Sequence, residues 1–167
     1  MNFAYHNIAF HSVKYLVLLS YCLSLILSVY ALRVDWLIIL PPFALMVLLF
    51  WVVQILNQTH LFTALILGLL MDGLHQTLLG SHSLIFIIIT FMMIRMRLRF
   101  RSTPLWQQSI VIGFYMLIFQ ILYFILYTPP LSEEGAVLYW SMPLVSIVLW
   151  PLIALSLTKL SSPTSNT

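Results

Sequence analysis

The stretch LFTALILGLLMDGLHQTLLGSHSLIFIIITFMMI, residues 61–94, decides how this chain folds. It is apolar enough to enter a membrane, yet it holds a carboxylate, Asp72, with His75 and Gln76 three and four residues on. A spanning helix needs about 20 apolar residues. Two helices with a tight turn at Leu79-Gly80-Ser81 fit, each near the lower length limit. A re-entrant hairpin also fits, provided that its backbone is buried in protein. Two spans are expected. Either choice crosses an even number of times, so the topology of the rest is unchanged.

The remainder of the chain sets the class. Of 167 residues, 62% are hydrophobic and 7% charged. A soluble domain of this size lacks the polar residues for a solvated shell at that composition. The chain reads as an all-α integral membrane protein, a single polytopic domain over residues 1–167. Spans are expected at 15–32, 36–56, 61–76, 80–96, 105–127 and 137–158, with a flexible cytoplasmic tail at 161–167. The net charge of +3 is small and localised, which argues against nucleic acid and for topology charge. The single cysteine, Cys22, excludes an internal disulfide and reads as a buried small apolar side chain. Tyr21 before it is wrong for a lipoprotein signal, and Tyr30-Ala31-Leu32 lacks a small-x-small cleavage pattern, so the first segment reads as a retained helix.

Charge then orients the bundle. Arg95, Arg97, Arg99 and Arg101 form the densest basic cluster, and such clusters stay cytoplasmic. Placing that loop inside also places Lys14 and Lys159 inside. Only Arg33 is left outside, beside Asp35, and the acidic loop with Glu133 and Glu134 is outside too. Both termini are then cytoplasmic. Trp36, Tyr127, Tyr139 and Trp140 fall at the outer interface and Trp106 at the inner one.

Asp72 is the residue that asks for a reason. A charge at the bilayer centre costs at least about 2.5–3.5 kcal/mol, so such residues are rare and usually have a role. Ala64, Gly68 and Asp72 are spaced by four and share one helix face, a small-residue stripe ending in a carboxylate. Small residues let a neighbouring helix approach, and a polar group then hydrogen-bonds across the contact. His75 and Gln76 are placed to join that network. One reading is an interhelical lock, in which an Asn would serve nearly as well. The other is a titrating proton or cation site, for which the chain offers no second carboxylate and no basic partner at depth.

Other motifs carry less. Arginines two apart alternate around a helix, so the cluster is not one amphipathic basic face; it fits topology determination and anionic lipid heads, with docking of a cytoplasmic partner as the alternative. His6, His11, His60, His75 and His82 form no ligand set of known spacing, so they read as scattered interfacial histidines and no metal or other cofactor is expected. Gly80-Ser81-His82 lacks the elbow a serine nucleophile needs. Asp35, at the boundary beside Arg33, makes no aspartyl dyad with a midplane Asp72, and no phosphate loop is present. These absences argue against an enzyme. Pro41-Pro42 in the second span, and Pro143 and Pro151 in the last, each remove a backbone donor and can kink their helices. Gln54 and Gln120 read as interhelical hydrogen-bonders.

Taken in order, Pro41, Trp51, Gly68-x-x-x-Asp72, Leu79-Gly80 with Leu84, Leu105-Trp106-Gln107-Gln108 and Leu149-Trp150-Pro151 resemble the MreD family of bacterial rod-shape proteins. The likeness covers most of the chain from residue 41 onward. It implies a compact bundle of six transmembrane helices in the inner membrane, similar to the membrane substrate-binding subunit of energy-coupling-factor transporters. It also implies a non-catalytic scaffold of the elongasome, which builds lateral peptidoglycan and maintains rod shape. The partner so implied is an MreC-like bitopic protein, linked indirectly to the MreB filament, the RodA polymerase and its class B penicillin-binding protein. Helix packing or partner contact is then expected at Ala64, Gly68, Asp72, His75 and Gly80, and at Trp51, Trp106, Gln107, Gln108, Trp150 and Pro151. The alternative is a small-molecule transporter or substrate-binding membrane subunit, motivated by the six-helix plan and Asp72.

Overall fold

The computed structural model describes residues 10–32, 40–127 and 133–161, all of them helix or short connection. The helices are α1 (Phe10–Leu32), α2 (Phe43–Gln54), α3 (Leu61–His75), α4 (Ser81–Ser102), α5 (Leu105–Tyr127), α6 (Glu133–Trp140) and α7 (Met142–Ser161). Helices α6 and α7 are separated only at Ser141 and read as one rod, which leaves six rods. Three stretches are long and apolar enough to cross a membrane: Val13–Ala31, Leu105–Tyr127 and Gly135–Ser161. The expected groups at Arg33, Asp35 and Trp36, the break at 128–132, the side chains of Glu133 and Glu134, and the tail past Ser161 lie outside the described residues.

The bundle is built around α2. Every residue from Ala44 to Gln54 is buried, as expected of a helix apolar on all sides. Its 12 residues rise about 18 Å, well short of the hydrocarbon thickness. The expectation that Pro41-Pro42 kink a helix from inside the second span is corrected here. Pro41-Pro42 precede the helix, and Pro42 is its N-cap, its carbonyl accepting from Leu45 N at 3.0 Å and Met46 N at 3.2 Å. A missing N–H is harmless at that place, because the first N–H groups of a helix have no intrahelical partner.

Around α2 the polarity is turned inside out. On α1, Ser20, Ser24 and Ser28 are buried, while Leu18, Leu19, Leu23 and Ile26 are exposed. Each serine donates to a carbonyl of its own helix, at 2.8 Å in all three cases, so no hydroxyl is stranded. Trp51 Nε1 on α2 then donates to Ser20 Oγ at 2.9 Å and ties the two helices. Small polar residues inside and large apolar ones outside is the arrangement of a helix facing lipid. Cys22 is exposed on this helix rather than buried, which corrects the reading of it as a packed core residue.

Two glycines set the closest approaches. A Cβ on Gly68 would stand 2.2 Å from Ser83 Cα, so α3 and α4 touch backbone to backbone there. A Cβ on Gly113 would stand 2.5 Å from Ile147 Cγ1, which fits α5 equally closely to α7. The stretch 61–94 is therefore two antiparallel helices joined by a turn over residues 76–80. One end of the bundle carries that turn. The opposite end carries the arginines, in the last turns of α4.

Candidate functional site

Asp72 lies one turn before the end of α3, not at the middle of a membrane span, which corrects its expected depth. Helix α3 closes on Gln76, whose φ of 53° is left-handed and whose backbone N–H donates to Asp72 O. Thr77 N reaches the same carbonyl at 3.1 Å. The chain then reverses through Gly80, at φ 99°, a conformation that a side chain would strain. This reversal sets the first turn of α4 over the Asp72 carboxylate.

The carboxylate is fully buried and fully engaged. Oδ2 accepts Gly80 N at 2.7 Å. Oδ1 accepts Thr77 Oγ1 at 2.9 Å, Ser81 Oγ at 2.8 Å, His82 N at 3.1 Å and His82 Nδ1 at 2.7 Å. Gly80 is the N-cap of α4 and has no side chain to cap it, so Asp72 caps α4 from the preceding helix. Negative charge at a helix N-terminus is favoured by the macrodipole, by up to about 2 kcal/mol in partly buried geometries. A carboxylate can only accept, so Ser81 donates to it, and Tyr127 Oη on α5 then donates to Ser81. The clasp thus binds α3, α4 and α5.

Aromatic rings close the clasp. His82 stacks on His75 at 5.1 Å between centroids and lies 5.4 Å from Tyr123. Phe119, Tyr123 and Tyr127, four apart along α5, form a continuous ladder beside it. A second tie joins α5 to α6. Pro143 has no N–H, so the Tyr139 carbonyl one turn back is left without its helical donor. Gln120 Nε2 donates to that carbonyl, and Tyr139 Oη donates to Gln120 O at 3.1 Å.

Three sequence expectations are revised at this site. His82 is no scattered interfacial histidine; it is buried and its Nδ1 is bonded to Asp72. His75 touches the network by ring stacking and makes no hydrogen bond to Asp72, and the Gln76 side chain is exposed. Ser81 bonds the carboxylate rather than the imidazole, so Asp72, His82 and Ser81 are not ordered as a nucleophilic triad.

The other anticipated residues occupy separate places. Ala64 and Gly68 are buried on the α3 face that meets α4. Trp51 is buried in α2. At the arginine end, Gln108 Nε2 donates to Thr103 O at 2.9 Å and caps the α4–α5 joint, while Trp106 is exposed and Gln107 half-buried. Trp150 is buried edge-on to Phe100 at 5.9 Å, with Pro151 half-buried beside it. Arg95 lies over the Phe91 ring at 4.9 Å, and Arg97 donates to Gln58 O at 3.1 Å. Gln54 is buried, and its Oε1 has no partner among the described residues. Thr77 was not singled out in the sequence, and Ser81, His82 and Tyr127 were read there in other roles. The available signal was the run of hydroxyl, glycine and histidine five to ten residues after Asp72, where a turn would return them to it.

The architecture defines a polytopic helical membrane protein with a buried carboxylate bonded to the start of the following helix. More narrowly, the chain belongs to the MreD family: the model of the rod shape-determining protein MreD matches residues 10–160. The chain is 26% identical over 147 residues to the rod shape-determining protein MreD of Haemophilus influenzae, covering 86% of this chain and 89% of that protein. No solved structure matches it.

Proposed function

We propose that this protein is a non-catalytic scaffold of the elongasome in the bacterial inner membrane, acting with an MreC-like bitopic partner in lateral peptidoglycan synthesis. Through that partner it connects to the MreB filament, the RodA polymerase and its class B penicillin-binding protein. The observation that carries the reading is family membership over residues 10–160. The clasp supports it: every Asp72 contact is with the protein itself, as in a structural brace. In this reading the six rods lie in the membrane as one domain, the short α2 enclosed by the others, on a plan similar to the energy-coupling-factor subunit. The arginine end and both termini face the cytoplasm and anionic lipid heads, and the Asp72 end faces outward.

Depletion in a rod-shaped host tests the function. Rounded cells are expected, rescued by the wild-type chain; rods of unchanged width after full depletion would sink the proposal. Crosslinking from positions near Asp72 and Trp150 to a co-expressed MreC-like protein maps the partner face.

A further inference from the structure

A cavity of about 190 Å³ lies beside the clasp, between the end of α1, the start of α2, α5 and α6. Much of its wall is apolar, including Pro41, Pro42, Met71 and Phe119. Into this wall are set His75, His82, Gln120, Tyr123 and Tyr139. One buried atom among them, Gln120 Oε1, has no hydrogen-bond partner among the described residues. Gln120 is only 1% exposed. Its amide orientation is fixed by its other arm: the nitrogen must face the Tyr139 carbonyl, because two oxygens would repel. The orphan atom is therefore an acceptor, and what it lacks is a donor.

We propose that this cavity is a binding site for a small organic cation, an ammonium group on a compact apolar body. An N–H donor satisfies Gln120 Oε1. The aromatic rings of Phe119, Tyr123 and Tyr139 line the cavity, and such rings attract positive charge. Among the described residues no Lys or Arg lines the cavity, while the Asp72 carboxylate is bonded to the lining residue His82. The volume equals about six waters at roughly 30 Å³ each, enough for an ammonium compound the size of benzylamine.

The test uses the purified full-length protein and benzylamine, with benzoate and benzyl alcohol as isosteres of opposite and no charge. Thermal unfolding is followed by intrinsic tryptophan fluorescence. A saturable rise in midpoint of a few degrees is expected with benzylamine at up to roughly 10 mM, and none with the other two. Gln120→Leu should lose the rise. That variant also loses the bond to Tyr139, so Ala31→Phe, which fills the cavity from its α1 wall, is the second arm. It should keep the unliganded midpoint and lose the rise. No rise with benzylamine, an equal rise with benzyl alcohol, or a full rise in Ala31→Phe each overturns the proposal; these outcomes would make the cavity a water pocket or a nonspecific apolar one.

Discussion

The two ends of the bundle handle polar groups in opposite ways. At the Asp72 end a carboxylate, two hydroxyls, two backbone N–H groups and an imidazole are drawn inward and bonded to one another. At the arginine end the charges point out, and the joint between α4 and α5 is closed by a neutral amide, Gln108, on the Thr103 carbonyl. The first end is therefore specified by a few groups that cannot be exchanged, because in a low-dielectric site each lost partner strands the others. The second end is specified by apolar packing, such as Trp150 on Phe100, with basic side chains that water and lipid heads can satisfy. Substitutions should accordingly be costly at one end and mild at the other.

The largest effect is expected at Asp72. Asp72→Ala takes the shared acceptor from five donors and leaves the first turn of α4 uncapped. Removing one partner of a buried charged network typically costs about 3–5 kcal/mol. The purified variant should unfold at a markedly lower temperature and fail to restore rod shape. Asp72→Asn sharpens the comparison. The sequence expectation, that an amide would serve nearly as well, is revised by the geometry. An Asn oxygen in the Oδ1 place keeps four bonds, but its NH₂ then faces the Gly80 N–H, donor against donor. A loss of about 1–3 kcal/mol is expected. A stability equal to the wild type would show that the Gly80 contact is dispensable.

Next comes the seam below the clasp. Gly68→Ala drives a methyl into the Ser83 backbone, which cannot rotate away. Overpacking of this kind costs about 1–3 kcal/mol. Gly73→Ala, on the same helix, meets nothing within 4 Å and should be neutral or slightly stabilising through helix propensity. Thermal midpoints of the two variants separate close packing from a general dislike of side chains on α3.

Much of this architecture was legible in residues 61–94 and the long apolar runs. The three clearest spans follow from hydropathy alone. The Ala64–Gly68 stripe correctly marked the face that α3 packs on α4, because a spacing of four is intrinsic to a helix. The partners of Asp72 were not legible. They are delivered by a reversal through Gln76 and Gly80, and left-handed backbone at a glutamine leaves no trace in composition. The serines of α1 were invisible for another reason: hydropathy averages treat them as noise in an apolar run, although they mark its inward face. Pro143 was read as a kink. Its consequence is chemical, a freed carbonyl that Gln120 answers from α5.

That answer gives the third prediction. Tyr139→Phe removes the hydroxyl that donates to Gln120 O but keeps the ring against Phe124. Gln120 O still belongs to a helical carbonyl with its own donor, so only one bond is lost. About 0.5–1.5 kcal/mol of destabilisation is expected by thermal unfolding. A larger drop, matching Asp72→Asn, would mean that the α5–α6 tie and the clasp are one cooperative unit.

The smallest effect belongs to the arginine end, at His60 in the α2–α3 connection. Its ring is buried, Nε2 lies 3.3 Å from Ile55 O, and Arg97 stands near. Burial first, with the Arg97 charge adding to it, holds the imidazole below its ordinary value of 6.5, against the Ile55 carbonyl, which favours the proton. The unfolded chain then binds the proton more readily than the folded one. Stability from this group is complete above about pH 6.5 and is lost as pH falls through the lower folded value. A modest decline in thermal midpoint from pH 7 toward acid should therefore be smaller in His60→Gln. If the two proteins decline in parallel, the acid sensitivity lies elsewhere. The Asp72 end would then be the next place to look, and His82→Gln, which replaces the imidazole donor at the carboxylate, the next substitution to measure.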